Sequence, residues 1–141
     1  MNAAAEASRA LAEQWFQKAE NDLLNVKNNL MAEHYPADTV CFHCQQAAEK
    51  YLKGFLARHQ ISFAKTHDML TLLQQVRQFA GGEVSVLSDK VLLLDEYSVS
   101  IRYPQEYAEE PGEEEVRAAY QAALDVRTWI RSRLRAEEAG H

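Results

Sequence analysis

Apolar residues recur at steps of three and four along five separate stretches of the chain, the spacing that lays them on one face of a helix. In the first stretch, from about Ser8 to Glu33, the stripe is Ala12, Trp15, Phe16, Ala19, Leu23, Val26 and Leu30. The HYP at 34–36 is expected to stop it, because the residue before a proline is pushed out of helical geometry. A second helix is predicted from Ala37 or Asp38, with Val40, Cys44, Ala47, Ala48, Tyr51, Leu52 and Phe55 inward. His43, Gln46, Lys50 and Lys53 fall on another face of it. Beyond a connector, ARHQ then ISFAK, a shorter third helix follows KTH. Thr66 is its expected N-cap, and Asp68 falls in the first turn, where negative charge suits the helix dipole. Its apolar residues are Met69, Leu70, Leu72, Leu73, Val76 and Phe79, and AGGE at 80–83 closes it.

The fourth helix aligns Leu87, Val91, Leu94, Ser98 and Ile101 in one row, with Ser88 as cap and Pro104 as terminator. After the acidic loop AEEPGEEE, whose Glu113 to Glu115 enter the first turn, a fifth helix runs to about Arg135. It turns Val116, Ala119, Tyr120, Ala123, Val126 and Ile130 inward. GEVSVL alternates weakly but has no partner segment, so no strand is predicted. The fold class is therefore all-α, an up-and-down antiparallel helical bundle of four long helices plus one shorter helix. Trp15, Phe16, Tyr51 and Phe55 offer more aromatic surface than four packed helices need, which predicts a homodimer.

The length of 141 residues suits one domain across 1–141. A net charge of -6 argues against a chain that coats nucleic acid non-specifically, since each phosphate contact needs a cation. No apolar run reaches the roughly 18 to 20 residues that span a bilayer, and the N-terminal residues lack an apolar leader core. A cytoplasmic protein without membrane partners is expected. Cys41 and Cys44 share a helix face, where disulfide geometry is hard to reach. With His43 they make only a short C-x-H-C on one helix, too few ligands for a structural metal, so buried thiols and no metal are predicted. The absence of a P-loop argues against a self-sufficient nucleotide hydrolase, and no cofactor is expected.

AENDLL at 19–24, CFHCQQAAEKYLKGFL at 41–56, KTHDMLTLL at 65–73 and SIRYP at 100–104 resemble, in order and spacing, the HEPN domain over about residues 10–134. The resemblance implies a dimeric helical bundle, commonly paired with a small nucleotidyltransferase as a toxin-antitoxin pair. Many such domains are metal-independent ribonucleases built on an arginine, four to six residues and a histidine; others are nucleotide-binding or non-catalytic modules. After Arg102 the positions that would hold the histidine are Tyr107, Ala108 and Glu109. Histidine, with a pKa near 6.5, can both take and return a proton in RNA cleavage, whereas tyrosine, near 10, is a poor base at neutral pH.

The expected function is accordingly a dimeric binding module for a nucleotide, RNA or a nucleotidyltransferase partner, with Asp22, Lys50, Lys53, Arg102 and Tyr103 as ligand-binding residues. The alternative is a ribonuclease toxin using Arg102 with Tyr107 or His67, the histidine expected at the start of the third helix. Asp22 lies at the edge of an apolar stripe, where an acid needs a partner, and Arg102 is the expected one. Lys50 and Lys53, with Gln46, form a face able to meet phosphates but ordinarily solvated. Arg127, Arg131, Arg133 and Arg135 suit RNA, an acidic partner, or simply the dipole of a helix C-terminus.

Overall fold

The computed structural model describes residues 2–63, 65, 68–98 and 110–140, and among these every regular element is helical. Helix α1 spans Ala3–Leu30, α2 Ala37–Arg58, α3 Met69–Ala80, α4 Ser88–Asp95 and α5 Glu113–Ala139; Gly82–Leu87 is a 3-10 helix leading into α4. The all-α antiparallel bundle expected from the apolar pattern is the architecture formed, with α1, α2 and α5 as its long members.

The start of α1 lies five residues before the expected Ser8, because Asn2 Oδ1 accepts from the Ala5 N–H at 2.7 Å and caps the helix. Its end comes at Leu30 rather than Glu33, where the Met31 N–H bonds back to the Lys27 carbonyl. For α3 the cap is Asp68 itself, not a residue before it: its Oδ1 accepts from the N–H groups of Leu70 and Thr71 at 3.1 and 3.3 Å. Thr66, the expected cap, lies outside the described residues. Gly81 closes α3 with φ of 88°, a left-handed conformation that costs glycine little.

Ser88 does not cap α4; it is the first residue of that helix, and its hydroxyl accepts from Arg77 Nη2 at 2.9 Å. The helix stops at Asp95, and Leu87, Val91, Leu94 and Ser98 of the expected row are buried, while Ile101 lies outside the described residues. The GEVSVL stretch uses its weak alternation as a 3-10 helix that buries Val84 and Leu87. On α5, three first-turn glutamates meet the positive end of the dipole, and Glu115 Oε1 accepts from the Gly112 N–H at 3.4 Å.

Helix α2 is the axis of the molecule, packed against α1, α3, α4 and α5. Fourteen of its 22 residues are buried, so nearly every face of it is covered. Helix α1 runs antiparallel to both α2 and α5: Arg9 near its start pairs with Glu138 near the end of α5 at 2.8 Å, and Glu20 further on pairs with Arg127 at 3.3 Å. The C-terminal ends of α2 and α3 meet where the His59 and Phe79 rings stack, 4.1 Å between centroids.

Phe16, Tyr51 and Phe55 are buried in this one chain, and Trp15 packs edge-on against Phe63. The surplus of aromatic surface expected from the sequence is therefore consumed by the chain's own core. Exposed apolar side chains lie elsewhere, at Leu24, Met31, Val86 and Leu92 among others, and Leu70 and Phe79 of α3 are also exposed. No helix among the described residues is long and apolar enough to cross a membrane.

Candidate functional site

Where α1 crosses the middle of α2, an aspartate from one helix meets two basic side chains from the other. Asp22 is only 8% exposed, so its carboxylate needs compensating partners. Lys50 Nζ donates to Oδ2 at 2.6 Å, and His43 Nδ1 lies 2.9 Å from Oδ1. Both oxygens are thus engaged by α2, and the partner expected from the sequence, Arg102, lies outside the described residues. His43 and Lys50 are seven residues apart, two turns of one helix face, which is how one carboxylate reaches both.

Asp22 fixes the chemistry of both partners. With the proton on Nδ1, His43 donates to Asp22 and keeps Nε2 as an acceptor. Among the described residues the Lys50 ammonium gives one of its N–H bonds to Asp22, leaving the others for solvent or a ligand. Lys50 and His43 side chains are 22% and 26% exposed, enough for an anion to reach them.

Lys53 departs from the solvated face expected for it. Its side chain is 9% exposed, and its ammonium bonds Glu49 Oε2 at 3.1 Å and lies 5.4 Å from the centre of the Trp15 ring. Gln45 Nε2 donates to the other Glu49 oxygen at 3.2 Å, and Gln46 Nε2 donates to Gln45 Oε1 at 2.8 Å. The result is a polar seam on α2 inside the bundle. Asp22 and Lys50 are brought together; Lys53 is turned one face away, into that seam.

A second network joins all three long helices. The Tyr51 hydroxyl donates to Glu20 Oε2 and accepts from Arg131 Nε at 3.3 Å, while Arg127 Nη1 reaches Glu20 Oε1 at 3.3 Å. Burial, and then the bond to Glu20, push the Tyr51 phenol above its ordinary range, so it stays protonated and serves as a donor. The arginines of α5 do not simply gather at a helix terminus, because α5 continues to Ala139 past all of them. Arg127 and Arg133 instead bind carboxylates of other elements, Glu20 and Glu83.

Cys41 and Cys44 are buried free thiols. Burial pushes the Cys41 thiol up to about 12 and holds Cys44 above its ordinary range as well. His43 turns to Asp22 and not toward them. Of the other expected site residues, His67, Arg102, Tyr103 and Tyr107 lie outside the described residues. His43 joins the site without having been expected there; its signal in the sequence is its place two turns before Lys50 on a polar face.

A bundle of this topology, with an acid on the first helix and a glutamine, glutamate and lysine run on the second, defines a class of helical domain. The HEPN domain profile matches residues 12–133, and the chain belongs to the HEPN domain family. Among solved structures, an archaeal HEPN homologue shares the fold at 24% identity with a TM-score of 0.69, covering 86% of this chain and 96% of that one. A protein from Thermus thermophilus is similar at 27% identity, with the same TM-score of 0.69 and the same coverage of 86% and 96%. No curated protein matches the chain.

Proposed function

We propose that the protein is a dimeric HEPN-type binding module whose ligand is a phosphate-bearing one, a nucleotide or RNA. The observation that carries this reading is the Lys50 ammonium, held by Asp22 beside His43 on a partly open face with donors to spare. A cation fixed in this way meets an anion without first losing side-chain freedom. Arg102 and Tyr103, which lie outside the described residues, are the further ligand-binding residues of this reading, by residue type a cation suited to phosphate and a ring suited to stacking on a base. Tyr107 stands where ribonucleases of the family would carry histidine, which favours binding over cleavage. A second copy of the chain makes it a homodimer, and a small nucleotidyltransferase is the protein partner of a toxin-antitoxin-like pair.

Fluorescence anisotropy with labelled nucleotides and short RNA tests the reading. Saturable binding that weakens at least several-fold in Lys50→Gln, which keeps a hydrogen bond to Asp22, is expected. Absence of binding to either ligand would overturn it. Sedimentation should show a dimer at micromolar concentration, and coexpression with a nucleotidyltransferase encoded alongside should yield a complex.

A further inference from the structure

The far end of α2 carries a separate concentration of positive charge. Where α1 begins and α2 and α5 finish, two adjoining cavities of about 390 and 230 Å³ share Arg9 and Arg58 in their walls. Four arginines, Arg9, Arg58, Arg131 and Arg135, line the smaller one against two glutamates, Glu13 and Glu138. Glu138 is already engaged by Arg9 at 2.8 Å. The larger cavity adds Glu137, so the whole cleft sets four arginines against three glutamates, a local positive balance in a chain of net charge -6 that favours an anion.

Three of these arginines have no carboxylate partner among the described residues, and one of the three, Arg131, is held in place. Arg131 lies over the rings of Phe16 and Tyr51, its guanidinium carbon 5.3 and 5.5 Å from their centres, and gives Nε to the Tyr51 hydroxyl at 3.3 Å. Tyr51 is in turn tied to Glu20, so the planar group is fixed while its two terminal amino groups have no acceptor among the described residues. Arg58 makes no side-chain ion pair or hydrogen bond among the described residues. Among the described residues Arg135 has only the Ser132 hydroxyl, at 3.3 Å.

We infer that this cleft binds a small phosphate-bearing anion between the Arg58 and Arg131 guanidinium groups. A guanidinium offers paired N–H bonds in a plane, and a phosphate offers the oxygens to accept from two such forks at once. The cavity's size suits a short phosphate chain, free or carried by a nucleotide, rather than a folded partner. It is distinct from the Asp22, His43 and Lys50 site. On α2, His43 and Lys50 lie 15 and 8 residues before Arg58, or about 22 and 12 Å along the helix axis.

Titration calorimetry on the full chain with inorganic tripolyphosphate and with ATP tests the assignment. Saturable binding is expected, weaker at higher ionic strength and at least tenfold weaker in Arg58→Gln. Because Arg58 has no partner to lose among the described residues, that variant is expected to melt with the parent protein. Arg131→Gln should behave likewise in binding, with both arginine variants also made in the Lys50→Gln background, so that the face held by Asp22 and Lys50 does not contribute to the titration. Equal affinity for the two probes identifies the phosphates alone as the ligand, and tighter ATP identifies a nucleotide as their source; both uphold the site. No saturable binding of tripolyphosphate in the Lys50→Gln background, or unchanged affinity there when Arg58→Gln is added, would overturn it. So would short RNA that binds through Arg58 and Arg131 where tripolyphosphate does not.

Discussion

The Phe16 ring occupies the space that a Cβ on residue 54 would fill: the nearest ring atoms would lie 2.4 and 2.7 Å from it. Phe16 cannot move aside cheaply, because it is stacked on Tyr51 at 5.2 Å and covered by the Arg131 guanidinium. Gly54→Ala would ordinarily gain about 1 kcal/mol of helix propensity. Here overpacking wins, and a net loss of about 1–3 kcal/mol is expected. Denaturant melts of the variant check this, and a more stable Gly54→Ala protein would contradict the packing described.

Removing the carboxylate that joins α1 to α2 has a comparable cost. In Asp22→Ala, Lys50 and His43 lose their acceptor in a mostly buried site, worth about 2 kcal/mol, or roughly 8 °C in Tm. Replacing the pair together, with Asp22→Leu and Lys50→Met, should recover much of the loss, since the remaining buried charge is then gone. An Asp22→Ala protein that melts with the parent would show that the pair is not stabilising.

The cysteines should be silent until the chain opens. Both thiols are buried and held protonated, and the thiolate is the reactive form. A thiol reagent at neutral pH is expected to modify native protein only at the rate of opening, and to modify both cysteines promptly in denaturant. Fast labelling of folded protein would place the thiols nearer the surface than described.

His59 gives the fold a mild sensitivity to acid. Burial between the Phe55 and Phe79 rings lowers its pKa from 6.5, as do Arg58 and Arg133, although Glu137 at 2.9 Å pulls the other way. The unfolded chain therefore takes up the proton first. Stability from this group is complete above the unfolded value of about 6.5 and is lost as pH falls through the lower folded value. Melting curves between pH 7.5 and pH 5 should show a decline that flattens in His59→Phe, which keeps the ring stacking. An identical decline in the variant would assign it to other groups.

Helix positions and the inward faces were legible in the sequence because they depend on local spacing: Val40, Cys44, Ala47, Ala48, Tyr51, Leu52 and Phe55 are all buried as the pattern predicts. What spacing could not supply was pairing between helices. Lys50 and Lys53 look alike on a helical wheel, yet one meets Asp22 across α1 and the other turns to Glu49 and Trp15. Likewise Arg131 reads as one more cation on α5. Its fixed orientation follows only from Phe16 and Tyr51, residues 115 and 80 positions away in the chain. Short caps were missed for a different reason: Asn2 precedes a run of alanines with no stripe to announce a helix.

Binding without cleavage is the central claim, and one incubation measures both. The purified full chain at high concentration is mixed with labelled short single-stranded RNA, and anisotropy and RNA length are read from the same sample, for the parent, Lys50→Gln and Arg102→Ala. The account predicts saturable binding by the parent, weaker binding by both variants, and RNA of unchanged length throughout. RNA shortened by the parent but left intact by Arg102→Ala would contradict it.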